Sequence, residues 1–264
     1  MSRNVSYITG GISVEQRTAS VINADEEVRL TDAYALYYIL SGEGSFFTEG
    51  TEYSLTAGSA VLVRPLVCHG VKSVGSTPTV YLEIVFAGHS LPRALLEQLD
   101  DTVLRATSAA IFKRDVLSAQ VVSVLTSFGD GVAVSEKMRQ IYLEALLTEA
   151  VVLLTAAESE ATVKEDRALG ARLVKYITEN LTENLSLDTL ARAFFVSKYH
   201  LCRAFKEYNG ISVHGYIIRK RILLARRLIE EGEAPTSVAY RVGFGDYSAF
   251  YRAYQRVMGK YPTA

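Results

Sequence analysis

Two arginines, Arg203 and Arg252, stand 49 residues apart inside near-copies of one pattern. A guanidinium is a rigid fork of donors, suited to two parallel hydrogen bonds with a guanine edge or one with a phosphate oxygen. In the first copy Leu190-Ala191 is followed by Leu201, Arg203, Phe205, Lys206 and Gly210. In the second, Val238-Ala239 is followed by Phe250, Arg252, Tyr254, Gln255 and Gly259. The offset is 48 at the alanines and 49 from Leu201 and Phe250 onward, so the second copy carries one extra turn residue. Like residues at fixed spacing indicate one supersecondary unit used twice. A lone arginine is usually solvated surface, and its recurrence at equivalent places argues against that reading.

The elements that must hold these arginines are two pairs of helices. Ser186 is placed to cap a short helix, LDTLARAF, and Ser197 a second, KYHLCRAFKEYN, which Gly210 ends. Leu201, Phe205 and Tyr208 then point inward, and Lys198, Tyr199, Cys202 and Arg203 outward. Small Ala191 allows the two helices to approach closely. In the second copy Pro235 opens the first helix, Gly243-Phe244-Gly245 makes the turn, and Asp246 caps a helix that exposes Tyr247, Ser248, Tyr251 and Arg252. Between the copies, VHGYIIRKRILLARRLIEEG reads as one long helix with Ile217, Ile218, Leu224 and Leu228 in the core.

Charge separates along the chain in the same sense. The net value of −1 combines 12 Lys/Arg against 21 Asp/Glu in residues 1–166, a balance of −9, with 16 against 8 in residues 167–264, a balance of +8. Clustered cations in the second region suit a polyanion, because neutralising phosphates releases counterions.

The first region holds a second set of candidates, Tyr38, Arg64, His69 and Glu83, as contacts for a small molecule. Their segments, YALYYILS, GEGSFFTEG, TEYSL, SAVLVRP and VYLEIVF, have the apolar, β-branched and aromatic content of strands between glycine turns. Tyr34, Leu36 and Tyr38 share one strand face and Ala35, Tyr37 and Ile39 the other; only one set can line an interior, and the pattern leaves both open. After Gly88 the texture becomes helical, over LPRALLEQL, Arg114 to Phe128, and Glu136 to Thr155 with Ser135 as cap. In the last of these, Ile141, Leu143, Leu146, Leu147, Val151 and Leu154 form the apolar set. Residues 157–166 are polar and read as a linker between a domain of residues 1–156 and one of residues 167–264.

No run of about 18 apolar residues and no secretion signal is visible, so a cytoplasmic protein without a membrane partner is expected. Cys68 and Cys202 match neither a disulfide framework nor a zinc pattern.

Thr56-Ala57-Gly58-Ser59, then VLVRP and His69, resembles the cupin pattern over roughly residues 5–88, which implies a small β-barrel able to hold one ligand. Catalytic cupins place histidine pairs around a metal, and YYILSGEGSFFTEG has none, so no metal, cofactor or catalytic residue is expected. The segments SKYHLCRAFKEYNG, GYIIRKRILLARRLI and VGFGDYSAFYRAYQRVMGKYP, from about Leu173 to Pro262, resemble the AraC/XylS family of transcription regulators in order and spacing. That resemblance implies an α+β chain: an N-terminal cupin-like barrel with a helical dimerisation hairpin, then an all-α domain with two helix-turn-helix units joined by a long helix. It further implies double-stranded DNA as partner, a homodimer, RNA polymerase as a candidate contact, and a small effector, with a sugar favoured by the Tyr-rich strands. By position, the eight outward residues named above are base readers, and His200, Lys206, Arg219 and Arg256 phosphate contacts. Two departures stand out. Tyr254-Gln255 replaces the family's Phe-Lys and removes one phosphate contact, and Pro-Thr-Ser-Val replaces an isoleucine-rich approach, which predicts a short helix. The competing readings are a cupin enzyme with a DNA-binding tail and a regulator whose barrel only dimerises.

Overall fold

The computed structural model describes residues 6–9, 11–19, 28–74, 77–101, 104, 108–130, 134–161 and 168–263. The chain divides into two compact units, Met1–Lys164 and Glu165–Ala264.

The first unit is built from strands β1 (Ser6–Thr9), β2 (Ile12–Ala19), β3 (Tyr34–Ser41), β4 (Glu43–Thr48), β5 (Thr51–Thr56), β6 (Ala60–Val63), β7 (His69–Ser73) and β8 (Thr79–Phe86). Helix α1 (Arg93–Asp101), strand β9 (Ala109–Phe112), helices α2 (Ala119–Ser127) and α3 (Glu136–Thr155), and strand β10 (Glu160–Ala161) follow. One sheet has the order β1-β2-β8-β3-β6-β9-β10 and the other β5-β4-β7, with antiparallel pairing throughout.

Strand β3 is the centre of this arrangement, and all but its last two residues are buried. Ala35, Tyr37 and Ile39 meet Phe46, Leu55 and Val71 of the smaller sheet. Tyr34, Leu36 and Tyr38 turn the other way and pack with Val121, Leu125, Leu147 and Val151 of α2 and α3. Both faces are therefore apolar, which is why alternation alone could not assign them. Each large side chain so buried contributes ~1.5–3 kcal/mol.

Two helix boundaries follow from caps. Ser135 accepts from the Met138 amide at 3.4 Å and starts α3 where expected. Helix α2 starts at Ala119, not Arg114, because the Ser118 hydroxyl takes the Val121 amide at 3.3 Å and fixes the first turn there. Ile141, grouped with the apolar set from sequence, is 51% exposed, because the buried face of α3 runs through Leu143, Leu146, Leu147, Ala150, Val151 and Leu154. The expected linker also departs from a pure tether: Glu160 and Ala161 pair with Ile111 and Ala110 on the free edge of β9. Residues 162–167 lie outside the described residues, as do residues 1–5 at the start of the chain.

The second unit is helical: α4 (Leu169–Glu179), α5 (Leu187–Phe194), α6 (Lys198–Asn209), α7 (Val213–Glu230), α8 (Pro235–Arg241) and α9 (Tyr247–Met258). Helix α4 lies on α6, and the contact depends on Gly170, where a Cβ would stand 2.2 Å from Cβ of Tyr208. Helix α7 packs against α6 and against α8 and α9, so it serves as a spine for both helix pairs. Its Ile217 and Leu228 are buried, while Ile218 and Leu224 are half-buried against the second pair.

Candidate nucleic-acid interface

The two helix pairs, α5–α6 and α8–α9, have matching local construction. Ser197 accepts from the His200 amide at 3.2 Å, and Asp246, at the equivalent place, accepts from the Ala249 amide at 2.7 Å. Each cap satisfies an otherwise orphaned donor at the helix start and leaves the remaining first-turn amides facing out. The helices end at Gly210 and Gly259, with φ of 73° and 67°. Inward positions correspond as well: Leu201 and Phe250 are both fully buried, and Ala191 and Ala239 are buried within the shorter helices. The turns differ. Phe195 takes the left-handed conformation, φ 55°, where the second unit has Gly243 at φ 92°.

On the outward face of α6, Lys198, Tyr199 and Arg203 are exposed and Cys202 is half-buried. Lys198 is held 2.7 Å from Asp188 of α5, and Arg203 2.8 Å from Glu207 one turn ahead. The Glu207 carboxylate, and the Tyr199 hydroxyl less strongly, raise the proton affinity of Arg203. On α9, Ser248 and Arg252 are exposed, whereas Tyr247 and Tyr251 are half-buried. The Tyr247 ring lies 5.8 Å from that of Phe250, and Tyr251 stacks on Tyr261 at 5.4 Å. Thus each helix offers an exposed arginine, Arg203 of α6 being paired with Glu207, and α9 adds a tilted aromatic shelf. Among the proposed phosphate contacts, His200, Lys206 and Arg256 are exposed and Arg219 is half-buried on α7. Helix α8 is only seven residues long, and Ala234 before it supplies no side-chain cap.

In the first unit, two of the four candidates meet. Glu83 lies directly across from Tyr37 in the β8–β3 ladder, and its carboxylate accepts from the Tyr37 hydroxyl at 3.0 Å. Nε2 of His69 is 2.8 Å from the same hydroxyl, and Nδ1 is 2.9 Å from the Val67 carbonyl. Arg17 of β2 pairs with Glu83 and with Glu15, and Arg29 approaches Glu83 at 3.4 Å. Burial pushes the His69 imidazole down to about 4 and the Tyr37 phenol well above its ordinary range. Tyr38 and Arg64 fall away from this cluster. Tyr38 belongs to the helix-covered face, and Arg64 donates to the Asp100 and Leu104 carbonyls beside α1. Reading the sequence missed Tyr37, Arg17 and Arg29 as members. A lone arginine among the polar residues of ISVEQRTA gave no signal, since its role depends on the register that sets Glu15 opposite Glu83. Among the described residues, no group of three or more His, Cys, Asp or Glu could hold a metal ion. No helix among them is long and apolar enough to cross a membrane.

The family described as a helix-turn-helix domain matches residues 190–264, and the one described as an AraC-like ligand binding domain matches residues 23–151. The chain belongs to the AraC family. This AraC-family chain is 25% identical over 221 residues to the uncharacterized HTH-type transcriptional regulator YbfI of Bacillus subtilis (strain 168), covering 82% of this chain and 78% of YbfI. It is 37% identical over 89 residues to the probable transcriptional regulator LumQ of Photobacterium leiognathi, covering 33% of this chain and 36% of LumQ. It is 30% identical over 139 residues to the HTH-type transcriptional activator RhaS of Salmonella agona (strain SL483), covering 52% and 49%. The chain therefore spans about half or less of the latter two. Among solved structures, ToxT from Vibrio cholerae O395 covers 96% of both chains at 14% identity and a TM-score of 0.42. The family's DNA-binding transcription regulators pair a ligand-binding domain with this helix-turn-helix half, and the chain has both parts in that order.

Proposed function

We propose that this AraC-family regulator is a cytoplasmic homodimer that reads two neighbouring major-groove segments through α6 and α9 and responds to a small polar effector, a sugar, held between its sheets. The observation that carries the DNA part is the repetition of one capped helix with Arg203 and Arg252 exposed at equivalent positions, in the basic half of the chain. Arg203, Tyr199, Cys202 and Lys198 read bases in the first segment; Arg252, Ser248, Tyr251 and Tyr247 read the second. His200, Lys206, Arg219 and Arg256 hold phosphates and so set register.

The effector reading rests on Tyr37, His69, Glu83, Arg17 and Arg29, which bring donors and acceptors together beside aromatic rings, the combination that binds a polyhydroxylated ring. Dimerisation is supported by Met138, Ile141, Ala145 and Val152, an outward stripe of α3 at spacings of three, four and seven. RNA polymerase is the further partner such a regulator would touch. Footprinting the protein on DNA upstream of its neighbouring genes tests the first part; absence of any protected two-part site would refute it. Titration calorimetry with a panel of sugars tests the second. The reading in which the first unit only dimerises is favoured by the fully buried Tyr37, Ile39 and Phe46 between the sheets, and it wins if no sugar gives heat.

A further inference from the structure

Arg221 stands on α7 where the loop before α5 and the turn before α9 come together. Its Nε donates to the Leu181 carbonyl at 2.9 Å and its Nη2 to Glu183 at 2.7 Å, both in the α4–α5 loop that leads into the first helix pair. Its Nη1 donates to the Gly243 carbonyl at 2.6 Å, in the turn of the second pair. Arg221 is 9% exposed, and all three of these acceptors are main-chain carbonyls. The turn has shaped itself to this contact. Gly243 holds φ 92°, and a Cβ there would stand 2.7 Å from Nη2 of Arg221 and 2.8 Å from the Thr182 carbonyl. Any side chain at that position would drive the loop, the arginine and the turn apart.

Packing alone does not join the two helix pairs here. The second has its own apolar core, from Ile222 and Ala225 to Phe250 and Tyr254. The first closes on α7 further toward its start, where the Phe205 and Tyr216 rings meet edge to face at 5.3 Å. Beside Arg221 the space between the pairs is an open cleft of about 390 Å³, bordered by Ser186, His214, Ile218 and Phe244. An apolar residue at 221 would be the cheaper way to fill a buried position, since a buried guanidinium has a heavy desolvation cost. What the arginine adds is direction: three donors in one plane tie two loops to one spine.

We propose that Arg221 is the positioning residue that locks the angle between the two recognition helices, and thereby sets the spacing at which this protein accepts its two DNA boxes. The proposal rests on the two-helix reading above. Each inserted base pair turns the far box by about 35° and moves it by about 3.4 Å, so a rigid protein must refuse it while a loosened one follows.

The test is gel-shift titration of the full-length protein, its Arg221→Met and its Arg221→Lys variants. The duplexes carry both boxes at the footprinted spacing, both boxes with one base pair inserted or removed, or the first box alone. Wild type is expected to lose affinity by roughly tenfold to hundredfold when the spacing changes, and Arg221→Met by roughly threefold or less, with single-box affinity unchanged. Arg221→Lys keeps the charge and stem but not the fork, and is expected to fall between them. Should Arg221→Met fail to fold, Arg221→Lys decides. Spacing penalties equal to wild type in the folded variants, or an equal loss on every duplex, would overturn the proposal. A wild-type protein indifferent to the second box would instead sink the two-helix reading, an outcome distinguishable because it needs no variant.

Discussion

The phenol of Tyr37 lies 2.8 Å from Nε2 of His69, and it has a single hydrogen to give. The carbonyl of Val67 can only accept, so Nδ1 of a neutral His69 carries the ring hydrogen and Nε2 is an acceptor. Glu83 competes for the same phenolic hydrogen at 3.0 Å. Two buried acceptors therefore share one donor, and Arg17 and Arg29 supply Glu83 with what the phenol cannot.

A pH dependence follows. Burial holds the folded imidazole at about 4, below its ordinary 6.5. Between those values the unfolded chain binds a proton that the folded ring refuses. Stability of the first unit thus falls as pH drops from 6.5 toward 4, with a slope of at most about 1.4 kcal/mol per pH unit from this group, and the loss stops below it. Urea midpoints at pH 7 and 4.5 should differ more for wild type than for His69→Gln; parallel curves would refute the assignment. Tyr37→Phe should cost ~1–3 kcal/mol at neutral pH by leaving buried acceptors unmet.

On the DNA side, Arg203→Ala is expected to erase discrimination at one operator position, worth ~1–3 kcal/mol, while Lys206→Ala weakens all sequences alike and lowers the salt slope by about one. Removing Arg203 also breaks its pair with Glu207, but both partners are exposed and the fold should not register the loss. Binding-site selection followed by sequencing reads the first effect, and titrations across salt concentrations the second. An unchanged selected motif would exclude Arg203 as a reader.

Phe195 is 95% exposed and sits at φ 55°. A non-glycine residue there costs about 1–2 kcal/mol, only part of which is offset by the greater freedom of glycine in the unfolded chain. Phe195→Gly is expected to stabilise the second unit by about 1 kcal/mol, and Phe195→Ala, which keeps the strain, to give no gain. Thermal melts of both variants decide; equal midpoints would show that the turn is unstrained.

Ile141 and Met138 are both about half exposed on α3. If that stripe is the dimer seam, Ile141→Glu should shift the protein to monomer in sedimentation velocity while its far-UV circular dichroism spectrum stays that of wild type. A variant that remains dimeric would move the interface elsewhere.

How much of this was legible beforehand depended on how local the signal was. Ser135, Ser186, Ser197 and Asp246 each cap the helix they were read to cap, because a cap is decided by a residue and its neighbours three places on. The antiparallel sheets and the helical half were equally readable, from composition and the repeat. Strands β2, β7 and β9 were not singled out, being short or polar enough to pass for loops. Tyr38 was favoured over Tyr37 for the interior without any means of choosing, since β3 is covered on both sides. Arg221 gave no sign of its part either: a basic residue in a run of basic residues looks solvated, and only the meeting of two distant loops takes it out of water.

Of the two cysteines, Cys68 is buried between strands while Cys202 is partly open on the outward side of α6. That difference makes the protein chemically addressable at one point without engineering. A thiol-reactive fluorophore would attach at Cys202 and leave Cys68 untouched, reporting by its emission whether that helix face is in solvent or against a ligand.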